Sequence, residues 1–270
     1  MTDVERQQAL EAIAAEVRAC TKCRLHETRT KAVPGEGDPE TEVVFVGEGP
    51  GFNEDRGGRP FIGRAGDLLV KLLASIGWRR EEVFITNIVK CRPPDNRDPQ
   101  PDEIAACAPY LRRQLEVLDP AVVVTLGRHS MARFMPGARI SQAHGTVRPV
   151  DPETGVRDAV VFAMYHPAAA LRTPAIEVES YADMAGVPST LLEARRRRET
   201  VRATTAPTGT TAPTAPKAPA EALVADSAPS TLSEPAPSQP TPTIPPASPN
   251  PAAPAAQATS DDTTPQLTLF

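Results

Sequence analysis

The sequence has no long apolar segment and little net charge. No hydrophobic run approaches the roughly 20 residues that a membrane-spanning helix needs, and the first residues, Met1 to Gln8, contain no apolar core of a secretory signal. We therefore expect a cytoplasmic protein with no membrane partner, in a compartment where disulfides are rare. The net charge of −5 excludes a protein that coats DNA through bulk positive charge.

Cysteine, histidine, tryptophan and tyrosine are all absent beyond residue 200. Residues 201–265 are mostly Ala, Pro, Thr and Ser, without an aromatic residue, and 15 of the 31 prolines lie beyond residue 200. Such a segment cannot bury enough apolar surface to offset the entropy of ordering it. We predict a disordered linker over 201–265 and one globular domain over 1–200.

Positive charge is concentrated at one place in the predicted domain, Arg195 to Arg198. Two interpretations stay open: a local basic surface, or the solvated end of a helix.

Helical and strand-like segments alternate along the predicted domain. Helical apolar spacing covers 3–19, 64–77 and 101–118, and short apolar runs typical of buried strands cover 42–47, 83–86, 121–126 and 159–164. This alternation predicts an α/β fold with three layers, α/β/α, around a central, mostly parallel four-stranded sheet. Ligands of such sheets bind beyond the carboxyl ends of the strands.

A glycine-rich loop follows the first predicted strand. Residues 47–63 (GEGPGFNEDRGGRPFIG) contain six glycines and two prolines, which let the backbone approach a ligand closely. Glu48 and Glu54 supply carboxylates, and Phe61 supplies an aromatic face. The combination suits a flat ligand with polar edges, such as a nucleobase.

The four cysteines, Cys20, Cys23, Cys91 and Cys107, all lie outside the predicted strands. In the cytosol they indicate a metal or cluster site, a redox pair, or no function. A zinc ribbon normally has two close pairs, whereas fifteen residues separate Cys91 from Cys107. This spacing suits a four-cysteine [4Fe–4S] cluster at least as well. Such a cluster would fasten the N-terminal helix to the loop after the second strand.

Three motifs follow one another along the chain: residues 47–66 (GEGPGFNEDRGGRPFIGRAG), 86–94 (TNIVKCRPP) and 165–169 (YHPAA). Together with the spacing of the cysteines they resemble the family 4 uracil-DNA glycosylases of bacterial type, which are iron–sulfur enzymes. The resemblance covers roughly residues 8–195. It implies a uracil-DNA glycosylase fold and excision of uracil from single- or double-stranded DNA in base-excision repair. It also implies a [4Fe–4S] cluster on the four cysteines, and we expect a monomer associated with the nucleoid.

The resemblance further implies how uracil is bound. Phe61 would stack on a uracil flipped out of DNA, and Asn87 would read its O4 and N3 edge and reject cytosine. His166 would hydrogen-bond O2 and stabilise the departing uracil anion. Residues 167–171 would press into the minor groove and fill the vacated stack.

The motifs leave the activation of water open. The best-known uracil-DNA glycosylases, from another family, carry an aspartate in the first motif, where this chain has Gly49, Pro50 and Gly51 after Glu48. By the resemblance, Glu48 and Gly49 would line the pocket, and Glu54 would help hold the water. We expect a dissociative reaction with a weakly activated water.

Two other functions are compatible with parts of the sequence. The first is a uracil-DNA binding protein without turnover; superfamily relatives that bind covalently carry a Lys/Arg-rich insert after the Asn motif, which residues 91–99 lack. The second is a dinucleotide-binding enzyme, but the glycines at 47, 49 and 51 lack the GxGxxG spacing. No lysine in the motifs is placed to form a Schiff base, so a glycosylase would lack lyase activity.

Residues 266–270 (QLTLF) form a short apolar segment after the predicted linker. They resemble the pentapeptide with which bacterial DNA-repair and replication proteins bind the β sliding clamp. Gln266 would hydrogen-bond at the clamp groove, and Leu267, Leu269 and Phe270 would fill apolar pockets. The linker would then act as a flexible tether. Chance occurrence of the pattern is the alternative.

Overall fold

The structure is a computed structural model that describes residues 1–205. Its strands are β1 (Glu36–Gly37), β2 (Val43–Gly47), β3 (Phe84–Asn87), β4 (Val122–Leu126), β5 (Val147–Pro149) and β6 (Val160–Met164). Its helices are α1 (Asp3–Ala19), α2 (Leu25–Thr28), α3 (Phe52–Gly57), α4 (Arg64–Ser75), α5 (Pro101–Leu118), α6 (Arg128–Phe134), α7 (Ile140–Ala143), α8 (Pro167–Ala170) and α9 (Pro174–Thr205). Short 3₁₀ turns occupy Arg80–Glu82, Pro94–Asn96 and Pro152–Thr154.

The strands form one mixed sheet in the order β1-β3-β2-β4-β6-β5. The four central strands are parallel and correspond to the four predicted from the sequence, so the predicted fold class is confirmed. The outer strands β1 and β5 are antiparallel to their neighbours, and the sequence pattern does not predict them. With two and three residues they are too short to give a periodic pattern. They form because they pair with the backbone N–H and C=O groups that β3 and β6 would otherwise leave without strand partners.

The central strands are buried at every position because helices cover both faces of the sheet. Alternate residues enter different cores: Val44 and Val46 pack with α1 and α5, whereas Val43 and Phe45 pack with α4 and α9. The carboxyl ends of the four parallel strands consequently meet at one edge of the sheet.

Within residues 1–205, six helices lie where the apolar spacing predicts none: α2, α3, α6, α7, α8 and α9. Helices α2, α6, α7 and α8 have only four to seven residues, too few for a periodic pattern. Helix α3 interrupts the glycine-rich loop; the Glu54 carboxylate accepts the Gly51 N–H at its start, and Gly58 ends it with a φ of 75°. Helix α9 has 32 residues and an internal proline, Pro188, which obscures its helical pattern. It extends five residues beyond position 200; the rest of the predicted linker and residues 266–270 lie outside the described residues. Within residues 1–205 no helix is long and apolar enough to cross a bilayer.

Candidate active site

One cleft of about 680 Å³ lies at the carboxyl edge of the parallel strands. Asn87 ends β3, Glu48 follows β2, and His166 stands two residues after β6. The structure brings together all six residues that the sequence predicts for the pocket. They are Glu48, Gly49, Glu54, Phe61, Asn87 and His166.

Asn87 and Phe61 meet beside Gly47. Gly47 pairs with Asn87 in the parallel register of β2 and β3. A Cβ atom on Gly47 would lie 2.4 Å from Asn87 Oδ1 and 2.7 Å from Phe61 Cζ, so only glycine allows this approach. Asn87 is 1% exposed, and its Oδ1 accepts no hydrogen bond from the described residues. A buried acceptor without a donor is costly, so this atom indicates a ligand that donates a hydrogen bond.

The backbone of Phe61 is strained. Its φ of 50° lies in the left-handed region, which a large aromatic residue rarely adopts. Arg80 Nη1 donates to the Phe61 carbonyl at 2.7 Å, and the Gly66 backbone packs directly against the same carbonyl. Strain of this kind persists only where surrounding contacts impose it, typically at functional sites.

Glu54 holds the glycine-rich loop in shape. Its two carboxylate oxygens accept three backbone N–H groups, those of Gly51 at 3.1 Å, Ile62 at 3.0 Å and Gly63 at 2.9 Å. These bonds join the start of α3 to the segment just after Phe61. The structure thus gives Glu54 a role in positioning Phe61, while its predicted role in holding water stays a prediction.

Replacing Glu54 with glutamine is expected to loosen this loop. The amide keeps the shape but loses the charge and turns an N–H₂ group toward a backbone donor. We expect the free energy of unfolding to fall by about 1 kcal/mol, the lower end for an unsatisfied group, because these hydrogen bonds are half-buried or exposed. Urea denaturation measures this change, with Glu193→Gln on the exposed side of α9 as the control. Equal transitions for the two variants would contradict the positioning role.

His166 faces the cleft as a neutral imidazole. Its pKa is lowered to about 4, mainly by burial and in addition by the charge of Arg172, while the charge of Glu54 opposes both. Its Nδ1 accepts the Ala168 N–H at 3.1 Å, which leaves the proton on Nε2. The His166 ring lies 5.6 Å from the Phe61 ring, centroid to centroid. The site therefore offers a neutral N–H donor next to an aromatic face.

The shifted pKa of His166 predicts a loss of stability in acid. In the unfolded chain a histidine binds its proton near pH 6.5, whereas the folded protein resists it until about pH 4. Between these values the unfolded state holds more protons, so stability falls as the pH drops through this window. Urea unfolding at pH 7 and pH 4.5 should show a larger loss for the wild type than for His166→Gln. Identical losses would mean that His166 titrates normally.

Glu48 belongs to a polar group that had not been predicted. Its Oε2 lies 3.9 Å from His129 Nε2, and that nitrogen lies 3.2 Å from Asp98 Oδ1. Burial raises the pKa of Glu48, as does the charge of Asp98, whereas His129 and Arg128 lower it. The position of His129 just after β4, at the carboxyl edge, was the available signal.

The four cysteines line one small cavity between α1, the loop after β3 and α5. No disulfide joins them within the described chain. N–H groups point at their sulfurs: Arg29 Nη1 lies 3.1 Å from Cys91 Sγ, and the Lys90 backbone nitrogen lies 3.3 Å from Cys107 Sγ. Burial raises the pKa of the Cys107 thiol to about 11. The cavity thus gathers four sulfur ligands with N–H donors, the environment that iron–sulfur clusters use.

Lys90 lies between this cavity and Asn87. Its ammonium is buried and donates to the Asn87 carbonyl at 2.9 Å and to Gln114 Oε1 at 2.7 Å, as well as to Thr86 Oγ1. Burial lowers the pKa of Lys90 to about 8. Its amine is therefore engaged behind the pocket, and no lysine among the described residues lines the cleft.

The arginine run at the end of α9 lies at the opposite edge of the sheet. Arg195 donates to Glu42 just before β2, and Arg198 donates to backbone carbonyls just before β4 and β6. Arg195, Arg196 and Arg197 are exposed on α9, in line with the interpretation as a solvated helix segment. Arg198 is largely buried and fastens α9 to the sheet.

The family model of the uracil DNA glycosylase superfamily matches residues 34–185, which span the sheet and the cleft. A type-4 uracil-DNA glycosylase of Sulfurisphaera tokodaii is 49% identical over 172 residues, or 62% of this chain and 77% of that protein. Type-4 enzymes of Archaeoglobus fulgidus and Thermotoga maritima are 48% and 45% identical, over 65% and 64% of this chain and 90% and 88% of their own lengths. The chain therefore belongs to the uracil-DNA glycosylase superfamily and, within it, to the type-4 uracil-DNA glycosylases.

Proposed function

We propose that this chain is a monomeric uracil-DNA glycosylase that hydrolyses the N-glycosidic bond of uracil in DNA, releasing uracil and leaving an abasic site. The observation that carries the proposal is the buried Oδ1 of Asn87, which has no hydrogen-bond partner within residues 1–205 and lies in one cleft with Phe61 and His166. Uracil presents an N3–H donor beside the O4 acceptor, which the two ends of an Asn amide can satisfy together. Cytosine presents the opposite pattern and would leave the amide unpaired.

Uracil within a duplex cannot reach this cleft, so the base must be flipped out at a cost of a few kcal/mol. Stacking on the Phe61 ring would return about 1–3 kcal/mol. Leu171 directly follows α8 and is 39% exposed, and its neighbour Arg172 lines the cleft. We propose that the Leu171 side chain fills the gap that the flipped base leaves between the neighbouring bases.

Bond cleavage moves the electron pair of the glycosidic bond onto uracil N1 and leaves positive charge on the sugar. The Nε2–H of His166 donates to O2, where the negative charge of the uracil anion accumulates. A neutral donor suits this task because it is not already paired with a counterion. Water then adds to the sugar carbon and gives up a proton.

Glu48 is the carboxylate that we assign to this water. The Glu54 oxygens are engaged with three backbone N–H groups. Glu48 borders the cleft, with His129 Nε2 at 3.9 Å and with Asp98 and Arg128 nearby. Because no lysine among the described residues lines the cleft, the reaction ends at the abasic site without a lyase step.

We further propose that Cys20, Cys23, Cys91 and Cys107 hold a [4Fe–4S] cluster. Their shared cavity and the N–H donors at their sulfurs support this assignment. When bound, the cluster supplies cross-links between α1, the loop after β3 and α5. Its contribution here is therefore structural, and the cleft residues carry the chemistry.

The test is incubation of the purified protein with a labelled oligonucleotide that holds one uracil opposite guanine, followed by alkali to cleave abasic sites. We expect cleavage at the uracil, greatly slowed in Asn87→Ala and unchanged in Leu192→Ala, an exposed residue of α9. Tight retention of the oligonucleotide without cleavage would identify a binding protein instead. Neither binding nor cleavage by protein of confirmed iron content would overturn the proposal.

We also propose that residues 266–270 bind the β sliding clamp. This proposal rests on their sequence alone. Deleting them should abolish clamp binding in surface plasmon resonance and leave uracil excision from free oligonucleotides unchanged. A tether would keep the enzyme close to clamp-bound DNA by raising its effective concentration. Unchanged clamp affinity after the deletion would refute this assignment.

A further inference from the structure

Phe52 lies outside the apolar core of the described residues. Of the six phenylalanines in the described residues, five are buried, whereas Phe52 is 53% exposed. Phe52 is part of neither apolar cluster of the domain. Exposing a large aromatic ring forgoes the stabilisation that burial provides, so packing does not account for this residue.

Two arginines flank the exposed ring. The guanidinium carbon of Arg92 lies 5.3 Å from the centroid of the Phe52 ring, and that of Arg56 lies 5.6 Å from it. Both distances are within cation–π range. Arg92 Nε also donates to Asn96 Oδ1 at 2.7 Å, which holds its side chain in place. An aromatic face with adjacent positive charge is the combination that proteins use to bind unpaired nucleotides.

This aromatic–arginine group, formed by Phe52, Arg56 and Arg92, directly adjoins the cleft. Phe52 follows Gly51, and Arg92 precedes Pro93; both Gly51 and Pro93 line the cleft. Consecutive Cα atoms are only about 3.8 Å apart. A DNA strand that places its uracil against Phe61 must leave the cleft across its rim, where the next nucleotide meets such a surface.

We propose that Phe52, Arg56 and Arg92 form a second nucleotide site, which stacks an unpaired base next to the flipped uracil and pairs its phosphate with the two guanidinium groups. The proposal deepens the proposed function, since it extends the same substrate strand beyond the cleft. The site favours single-stranded DNA because a neighbouring base in a duplex is already stacked and paired.

The experiment compares wild type, Phe52→Ala, Phe52→Trp and Leu192→Ala, which removes a side chain of equal exposure on α9, 52%. One substrate is a single-stranded 15-mer with a central uracil; the other is deoxyuridine carrying only its 5′ and 3′ phosphates. On the 15-mer, Phe52→Ala should lower kcat/KM roughly tenfold, in line with the loss of one base–aromatic stack. Phe52→Trp should restore it, and Leu192→Ala should match the wild type. On the minimal substrate all four proteins should be equal.

Fluorescence anisotropy with a uracil-free single-stranded 15-mer provides a readout that does not depend on catalysis. Phe52→Ala should bind this probe roughly tenfold more weakly than the wild type. Unchanged binding and excision in Phe52→Ala, or an equal loss on both substrates, would overturn the second site. A wild type that binds the probe but excises no uracil would instead contradict the proposed function and leave the anisotropy comparison to decide the site.

Discussion

Replacing His166 with alanine is expected to lower the single-turnover rate of uracil excision about 10²–10³-fold, the usual effect of removing one donor to a developing anion. The reason is that, in the proposed reaction, the Nε2–H of His166 donates to uracil O2, and this hydrogen bond strengthens as negative charge builds there. Binding of uracil-containing DNA should change little, because an interaction that forms mainly in the transition state affects rate more than affinity.

Glutamine at position 166 tests whether the N–H donor is what matters. His166→Gln keeps a neutral N–H donor of similar reach, so its rate should fall between those of wild type and alanine variant. Quench-flow or manual single-turnover assays with excess enzyme measure the rates, and anisotropy measures the affinities. A rate for His166→Ala within a few-fold of wild type would remove His166 from the mechanism. Equal losses of rate and affinity would indicate that the variant disturbs the pocket instead.

Replacing Cys107 with serine is expected to eliminate the iron and the absorbance near 400 nm and to destabilise the domain. Binding of a structural metal group is coupled to folding because the site does not exist in the unfolded chain. The proposed cluster would join α1 and α5 to the loop that follows Asn87, since the four thiols line one cavity between them. We expect a loss of at least about 3 kcal/mol, which corresponds to a melting temperature lower by about 6–12 °C in a domain of this size.

Ala106→Ser provides the matched control, since residue 106 lines the same cavity and the change adds a hydroxyl group without removing a sulfur. It should retain the iron and the colour. Iron analysis, absorbance spectra and thermal unfolding in one buffer measure the three properties. A Cys107→Ser protein that keeps its iron and melting temperature would refute the cluster assignment. Zinc in place of iron in the wild type would do the same.

The central architecture could be predicted because its signal is local. Strands that are buried on both faces are continuous apolar runs, and β2, β3, β4 and β6 agree with the predicted runs to within one residue at every end. The pattern also predicts helices α1 and α5 at their full length. The edge strands β1 and β5 leave no such signal because their stability comes from pairing with β3 and β6.

Some features of the candidate site could likewise be predicted from the sequence, and others could not. The sequence alone determined the residue types: an asparagine at a strand end, a histidine before Pro167, an aromatic residue in a glycine-rich loop and four spaced cysteines. Only the tertiary structure decided which of these side chains are available. Glu54 is engaged by backbone N–H groups and Lys90 by acceptors behind the pocket. Glu48 borders the cleft, and no group in the described part of the chain donates to Asn87 Oδ1. Hydrogen-bond partners depend on contacts between segments far apart in the chain, and no local pattern of residues encodes them.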